Sequence, residues 1–177
     1  MVFTHDTEAS LRAAVALVNT AAEPDTLTTR EELVEFLDEH EFTGTRRGDD
    51  AELASVRELR SRLREILTSD RDVAAGLVNE LLVEEQALPQ LVRHGGHDWH
   101  IHAVVPDAPL ATRIAVESAM AMIDVIRANE TSRLDVCADP TCDGLVLDLS
   151  RNRSRRFCST TCSNRVAVAA YRARQRR

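Results

Sequence analysis

Four cysteines are the residues of this sequence best suited to chemistry. They form two close pairs, Cys137-x4-Cys142 and Cys158-x3-Cys162, with fifteen residues between the pairs. Tetrahedral zinc prefers thiolate ligands, and a short spacing lets one turn present two of them at once. The spacing therefore predicts a single structural Zn²⁺ site to which all four cysteines contribute.

Three other uses of the cysteines stay open at this point. Two disulfides would fit a secreted protein, but "MVFTHDTEAS" turns polar at once and no apolar run approaches the roughly 20 residues of a membrane span. We therefore expect a cytoplasmic protein with reduced thiols and no membrane association. A redox-active pair is disfavoured because the C-x-x-C spacing is absent, and the choice of zinc over iron rests on spacing and frequency alone.

The segments around the cysteines predict how each pair is presented. The first pair encloses "ADPT", where Pro140 favours a knuckle-like turn, and the β-prone "GLVLDLS" follows before "NRSR" turns the chain back. Ser159 can cap a helix that carries Cys158 and Cys162 on one face. Knuckle, short hairpin and helix together predict a treble-clef-like module. Structural zinc contributes roughly 10 to 16 kcal/mol to folding, enough for a module with little core of its own.

The charge of the chain is divided unevenly. Residues 151–177 hold nine arginines and no acid, whereas the first 150 residues hold 13 arginines and 29 acids, so a −16 body precedes a +9 tail. Such asymmetry is typical of proteins that bind nucleic acid or another polyanion. All 22 basic residues are arginine, which is typical of a GC-rich bacterial genome and excludes a P-loop lysine and a Schiff-base lysine.

The polar residues of the tail fall into two groups by position. Those expected to contact nucleic acid lie on the turn before the third cysteine and near the chain end: Arg151, Arg153, Arg155, Arg156, Arg172, Arg174 and Arg176. Asn164 and Arg165 follow the last cysteine, where they either support the metal or contact nucleic acid. Five phosphate contacts would give a slope of log affinity against log salt of about −4.5. A solvated basic tail is the alternative.

The remainder of the chain predicts a helical body. Apolar residues at helical spacing occur in "ASLRAAVALVNT", "TLTTREELVEFLDEH", "AELASVRELRSRLREILTS" and "LATRIAVESAMAMIDVIRAN". Thr28 and Glu31 form a capping-box pattern, and Ser69 can cap a further helix towards Pro89. Two β-prone runs in "QLVRHGGHDWHIHAVVP", divided by two glycines, predict a hairpin.

These elements predict a mainly α fold with a small β-hairpin (α+β) in two domains. Residues 1–130 form the helical domain, and residues 131–177 form the zinc module with its basic C-terminal helix. The segment "ETSR" is the expected boundary between them.

Two features of the body suggest a ligand pocket. The segment "HGGHDWHIH" holds four histidines: His94, His97, His100 and His102. His100 and His102 would point to one side of a strand beside Trp99, either as a second metal site or ligand pocket, or simply as polar hairpin positions. Asn19 ends an apolar helical stripe, where it is either a pocket group or a helix-end cap.

The zinc segment resembles the CGNR-type zinc finger. The likeness covers about 45 residues and lies in the cysteine spacing of "RLDVCADPTCDG", in "DLSRNRSRRFCSTTCSNR" and in the Arg-rich stretch that follows. The family is named for Cys-Gly-Asn-Arg at its last ligand, which stands here as Cys162-Ser163-Asn164-Arg165. Ser163 replaces the usual glycine and Phe157 stands where tryptophan is common, but neither departure removes a ligand.

The body resembles the ABATE domain, which precedes this finger in its family. The likeness lies in "ALVNT", "LTTREELVEFL" and "AVVPDAPLATRIAVESA". It implies a mostly helical domain of stress-induced transcription regulators, with DNA binding and without catalysis. The absence of a Gly-rich nucleotide loop and of the H-E-x-x-H and G-x-S-x-G motifs favours the same expectation that the protein is not an enzyme.

We therefore expect a zinc-dependent, DNA-binding, stress-responsive transcription regulator whose N-terminal domain senses a ligand or mediates dimerisation. The alternative is a zinc-stabilised adaptor that binds proteins and not DNA. The expected partners are DNA, a second copy of the chain through the helical domain, and a small-molecule effector. The acidic body could also mask the basic tail until a ligand separates them.

Overall fold

The computed structural model describes residues 2–93 and 99–175. Within these ranges five helices form the body: α1 His5–Asn19, α2 Arg30–Glu39, α3 Asp50–Thr68, α4 Arg71–Glu84 and α5 Leu110–Arg127. A hairpin of β1 Gln90–Val92 and β2 His100–His102 lies between α4 and α5, and the chain ends with β3 Leu134–Val136, β4 Leu145–Leu147 and α6 Thr160–Gln175. The mainly α fold with small β-hairpins is as predicted.

Helix α5 is the centre of the body, where it packs against α1, α3 and α4. Its apolar residues recur every three or four positions, so that Leu110, Ile114 and Met122 are all buried. Aromatic residues make up 3% of the chain, and the core is accordingly built mostly from Leu, Val, Ile and Ala. No helix within the described ranges is long and apolar enough to cross a membrane.

The capping box of α2 lies one residue later than predicted. Thr29, not Thr28, is the cap: its side chain accepts a hydrogen bond from the N–H of Glu32, and the Glu32 carboxylate accepts one from the N–H of Thr29. The same carboxylate also accepts the N–H of Thr28. The predicted partner Glu31 takes no part, because the box joins residues three apart and the helix begins at residue 30.

The start of α4 also differs from the prediction. Ser69 ends α3 and its hydroxyl donates back to the carbonyl of Glu65, whereas Asp70 is the residue that precedes α4. Two residues, Ser69 and Asp70, therefore separate the two helices.

The predicted hairpin in the body is present. Strands β1 and β2 are antiparallel, with Leu91 opposite Ile101 and Val92 opposite His100. Leu91 and Ile101 face outwards and are exposed, while Val92 and His100 are half-buried. The predicted glycine turn, Gly95–Gly96, lies outside the described residues.

Strand β4 joins the body to the cysteine segment. It pairs with β3 in antiparallel fashion, so the hairpin encloses the first cysteine pair; the prediction had placed it after that pair. Leu145 and Leu147 belong to the main core of the body, and Val146 between them packs against Cys137 and Cys162. Because side chains alternate along a strand, one short strand is buried on both faces.

The expected boundary segment, residues 130–133, forms contacts within itself and with residues 148 and 150 of the cysteine segment. Residues 131–133 form a 3-10 turn in which Arg133 is buried. Its guanidinium donates to the carbonyls of Asp148 and Ser150 and pairs with Glu130 at 2.8 Å. The division of the chain into two domains at residue 130 stays a prediction.

An ion-pair cluster binds the loop between α1 and α2 to helix α3. Asp25 accepts two hydrogen bonds from the guanidinium of Arg60, at 2.9 and 3.1 Å, and one from Arg57 at 3.1 Å. The hydrogen bond from Arg60 lowers the pKa of Asp25 from 3.8 to about 2.

We predict that Asp25→Asn lowers the free energy of unfolding by about 1 to 2 kcal/mol at neutral pH. The folded pKa lies below the unfolded one, so the contribution is complete above pH 3.8 and is lost as the pH falls towards 2. Urea denaturation at pH 6 and pH 3 should show the difference between wild type and variant shrinking at the lower pH. The exposed Asp107→Asn serves as control, and an equal loss in both variants would contradict the role of Asp25.

Candidate metal centre

The four cysteine sulfurs lie together. All four Sγ atoms are within 4.8 Å of one another, and Cys158 Sγ lies 3.6 Å from both Cys142 Sγ and Cys162 Sγ. In the part of the chain that the structure describes, this is the one group of three or more His, Cys, Asp or Glu side chains close enough to share an ion. Cys137 and Cys162 are buried and the other two are half-buried.

The first pair is held by the knuckle at the tip of the β3–β4 hairpin. The N–H of Cys137 donates to the carbonyl of Gly144 at 2.8 Å, which continues the strand pairing past Val136. The N–H of Cys142 donates to the carbonyl of Asp139 at 2.9 Å and closes the turn between the cysteines. A tight turn thus brings both sulfurs to one side, as the spacing predicted.

The second pair lies at the start of α6: Cys162 is in its first turn, whereas Cys158 precedes the helix, which begins at Thr160, and is not carried by it as predicted. Ser159 caps this helix as predicted, because its hydroxyl accepts the N–H of Cys162 at 3.2 Å. The carbonyl of Arg156 accepts the N–H of Ala138 at 2.9 Å, and the N–H of Cys158 donates to Cys137 Sγ at 3.5 Å. These two bonds fasten the second pair onto the first.

The geometry suits one tetrahedral metal ion such as zinc and does not suit disulfides. Four sulfurs around tetrahedral zinc, each about 2.3 Å from the metal, lie about 3.8 Å from one another. The 3.6 Å separations match this value and are far longer than the roughly 2.05 Å of a disulfide. Four thiolates close the coordination sphere, so bound zinc would supply cross-linking and leave no open position for catalysis.

The thiols differ in how readily they ionise. Burial raises the pKa of Cys158 to about 12, and its hydrogen bonds with neighbouring thiols act in the same direction. Burial opposes ionisation of Cys137 as well, but the N–H groups of Asp139 and Cys158 donate to its sulfur and lower its pKa. Since several thiolates in one buried place repel each other, a divalent cation is the group that would stabilise the set.

Gly144 makes room for the sulfurs. A Cβ atom at this position would lie 3.0 Å from Cys158 Sγ and 3.3 Å from Cys142 Sγ, while its N–H donates to Cys142 Sγ at 3.4 Å. Sequence reasoning missed this residue, although a glycine two positions after a ligand is a recognisable sign of close backbone approach.

Arg165 is bound to the knuckle. Its guanidinium lies 3.0 Å from Asp139 Oδ2 and donates to Thr141 Oγ1 at 2.6 Å. The Asp139 side chain is 1% exposed and also accepts two hydrogen bonds from Thr141, whose N–H lowers the pKa of that carboxyl. These contacts favour the metal-supporting interpretation of Arg165. Asn164 is exposed on α6.

Comparison with known families agrees with this architecture. Residues 11–129 match the family model ABATE, whose description is "Putative stress-induced transcription regulator". The chain belongs to the ABATE family. Residues 133–175, which hold all four cysteines, match the CGNR zinc finger. Both predicted resemblances are confirmed, and a search of curated proteins finds no match.

The arginines of the CGNR finger are not equivalent. Arg153 pairs with Glu130 at 2.8 Å, and Arg155 donates to the carbonyls of Phe157 and Cys158. The exposed side chains of four others make no hydrogen bond or ion pair with residues 2–93 or 99–175: Arg151, Arg156, Arg172 and Arg174. Arg176 lies outside the described residues.

The residues predicted to line a pocket in the ABATE body do not come together. His100 and His102 are neighbours, with their Nε2 atoms 3.0 Å apart, but Trp99 is 63% exposed. A groove of about 670 Å³ lies elsewhere, beside the end of α4, and is lined by Asn79, Leu82, Val83, Gln86, Ala87 and Leu88. His94 and His97 lie outside the described residues.

Asn19 has a different role from either one predicted. Its Oδ1 accepts the N–H of Leu145 at 2.6 Å and its Nδ2 donates to the carbonyl of Leu145 at 3.0 Å. The side chain of the last residue of α1 therefore binds β4, 126 residues later in the chain, instead of facing a pocket or capping its own helix.

We predict that Gly144→Ala weakens zinc binding by about 10- to 100-fold, because the added methyl group would press on the sulfurs of Cys142 and Cys158. Competition with a chromophoric chelator measures the affinity. Gly76→Ala is the matched control, since a Cβ there meets no atom within 4 Å. Wild-type zinc affinity in Gly144→Ala would show that the close approach is unimportant.

Proposed function

We propose that the protein is a zinc-dependent, DNA-binding transcription regulator in which the CGNR finger contacts DNA and the ABATE body senses a ligand or mediates dimerisation. The observation that carries the proposal is a set of four exposed arginines in one acid-free segment: Arg151, Arg156, Arg172 and Arg174. These side chains are exposed, have no acidic partner among the described residues and stand in a segment without any acid. Guanidinium groups in such a setting suit the phosphates of a duplex.

Helix α6 is the element of the finger suited to a DNA groove. Cys162 is its one buried residue between Thr160 and Gln175, so most of the helix surface is accessible. Asn164, Val168 and Tyr171 recur at positions that place them opposite Cys162, and Val168 and Tyr171 are about half-exposed. The major groove of DNA admits an α-helix, with polar and apolar side chains contacting the base edges.

We predict salt-dependent binding to duplex DNA by the zinc-loaded protein. Four phosphate contacts give a slope of log affinity against log salt of about −3.6, and the double variant Arg172→Ala/Arg174→Ala should reduce it to about −1.8. Fluorescence anisotropy over a salt series measures the slope. Zinc affinity should not change in this variant, because neither arginine touches the cysteine cluster.

The control is Arg12→Ala/Arg47→Ala, which removes two exposed arginines of the ABATE body. Its slope should equal that of the wild type. Zinc-loaded protein that shows no salt-dependent binding to duplex DNA would overturn the proposed function.

A protein-binding adaptor is the second candidate, and the exposure of Val168 (47%) and Tyr171 (57%) favours it. Apolar and aromatic side chains in the centre of an exposed face are typical of protein interfaces. Binding of the zinc-loaded chain to a protein through this apolar face, little affected by salt, together with no binding to duplex DNA, would support this candidate over the first.

Dimerisation through the ABATE body forms part of the proposal. The outer face of the β1–β2 hairpin carries Leu91, Trp99 and Ile101, which are 68%, 63% and 45% exposed. A two-stranded hairpin with an apolar outer face is suited to pair with its own copy across a two-fold axis. A dimer would also raise DNA affinity, since one small module buries only roughly 600 to 1,000 Å² on DNA.

We predict that Ile101→Arg shifts the dimer dissociation constant upwards by at least about tenfold, as expected for a charge placed in an apolar interface. Sedimentation equilibrium measures it. Val73→Arg is the matched control, because Val73 is also exposed (55%) and lies on α4, not on the hairpin. A wild-type chain that stays monomeric at high concentration would exclude the dimer.

The remaining parts of the proposal concern chemistry and location. A small-molecule effector would occupy the groove beside α4, where apolar Leu82 and Val83 meet the polar Asn79 and Gln86. The protein acts by binding and not by catalysis. It works in the cytoplasm, where thiols stay reduced and remain able to hold a metal.

A further inference from the structure

The open edge of strand β4 is completed by one side chain of the ABATE body. Alternate residues of an antiparallel strand bond to the partner strand, and Gly144 bonds to Cys137 of the β3 side. Leu145 therefore directs its N–H and carbonyl away from β3. Both groups are taken by Asn19, at 2.6 and 3.0 Å, in the manner of a neighbouring strand.

The same peptide unit links Asn19 to a metal ligand. The carbonyl of Gly144 accepts the N–H of Cys137 at 2.8 Å, while the N–H of the following Leu145 donates to Asn19. One peptide plane is thus held from opposite sides by a cysteine of the cluster and by helix α1. The preceding N–H, that of Gly144, donates to Cys142 Sγ at 3.4 Å.

The surroundings allow this peptide little freedom. Leu145 is 2% exposed and packs in the main core, so its backbone groups have no water to replace a lost partner. A rotation of the plane would also break the hydrogen bond that the carbonyl of Gly144 accepts from the N–H of Cys137. The orientation set by Asn19 therefore acts on two of the four ligands, Cys137 and Cys142.

We propose that Asn19 is a positioning residue of the zinc centre, through which the fold of the ABATE body sets the zinc affinity of the CGNR finger. A ligand or partner that displaces the end of α1 would lower the zinc affinity, and loss of zinc would in turn weaken the contact between the end of α1 and strand β4. The inference rests on the proposed function in one respect: a change in zinc affinity would regulate the binding of DNA by the finger. The effect of Asn19 on zinc affinity does not itself depend on DNA.

The experiment compares zinc affinity in full-length Asn19→Ala and Thr7→Val by competition with a chromophoric chelator. Thr7 is the matched control, because it lies on the same helix and its hydroxyl bonds to Thr4 and to Asp124 of α5, not to the finger. We expect affinity to fall about tenfold in Asn19→Ala and to stay within twofold of wild type in Thr7→Val. Cobalt substitution should show altered visible absorption bands in Asn19→Ala alone, a change that loss of stability by itself would not produce.

Equal zinc affinities in wild type and Asn19→Ala, or equal losses in both variants, would overturn the proposal. If Asn19→Ala does not fold, NMR of the wild-type protein tests the same proposal. Removing zinc with a chelator should shift the side-chain amide signals of Asn19 and leave those of exposed Asn79 unchanged, and an unmoved Asn19 signal would also overturn it. Failure of the wild type to bind DNA would contradict the proposed function, whereas the comparison of zinc affinities would still test the role of Asn19.

Discussion

Strand β4 is buried on both faces, and the arrangement of the protein depends on this. Leu145 and Leu147 contribute to the same core as the body helices, while Val146 contributes to the small cluster around the cysteines. A three-residue strand has only one partner strand to hold it, which is weak support on its own. The pairing with β3, the amide of Asn19 and the buried Arg133 supply the remaining contacts. The zinc finger therefore packs against the body through a strand that belongs to both hydrophobic clusters.

The cysteine cluster replaces the hydrophobic core that the finger lacks. Apart from the four cysteines, its own apolar cluster comprises Val146 and Phe157. Burial of so little apolar surface cannot offset the conformational entropy of some 40 residues, whereas a structural zinc site contributes on the order of 10 kcal/mol. The surrounding donors are arranged accordingly. Gly144 gives the sulfurs room, backbone N–H groups point at Cys137 and Cys142, and Arg165 holds the knuckle through Asp139.

The arginines of the tail differ in their contacts, although they stand close together in the sequence. Arg165 and Arg153 are ion-paired and Arg155 bonds to carbonyls beside the second cysteine pair, so these three help to build the finger. Arg172 and Arg174 project from α6 without a partner within the described ranges, and they are the residues most available to a polyanion. Between the tail and residues 1–130, the pair of Arg153 with Glu130 is the one ion pair among the described residues. The masking of the tail by the body therefore has little support in this conformation.

The sequence by itself determined the features that depend on residue type and short spacing: the four cysteines as one metal site, Ser159 as a cap, the apolar stripes of the body helices and the basic tail. Each of these follows from local geometry, because neighbouring residues decide turn, cap and helical face. The tertiary structure alone decided the contacts between distant residues. Asn19 binds Leu145, Asp139 binds Arg165 across the cluster, and β4 pairs with the strand before the first cysteine. No spacing rule predicts these contacts, since a side chain's partner 126 residues away is fixed by how the helices pack and not by its neighbours in the chain.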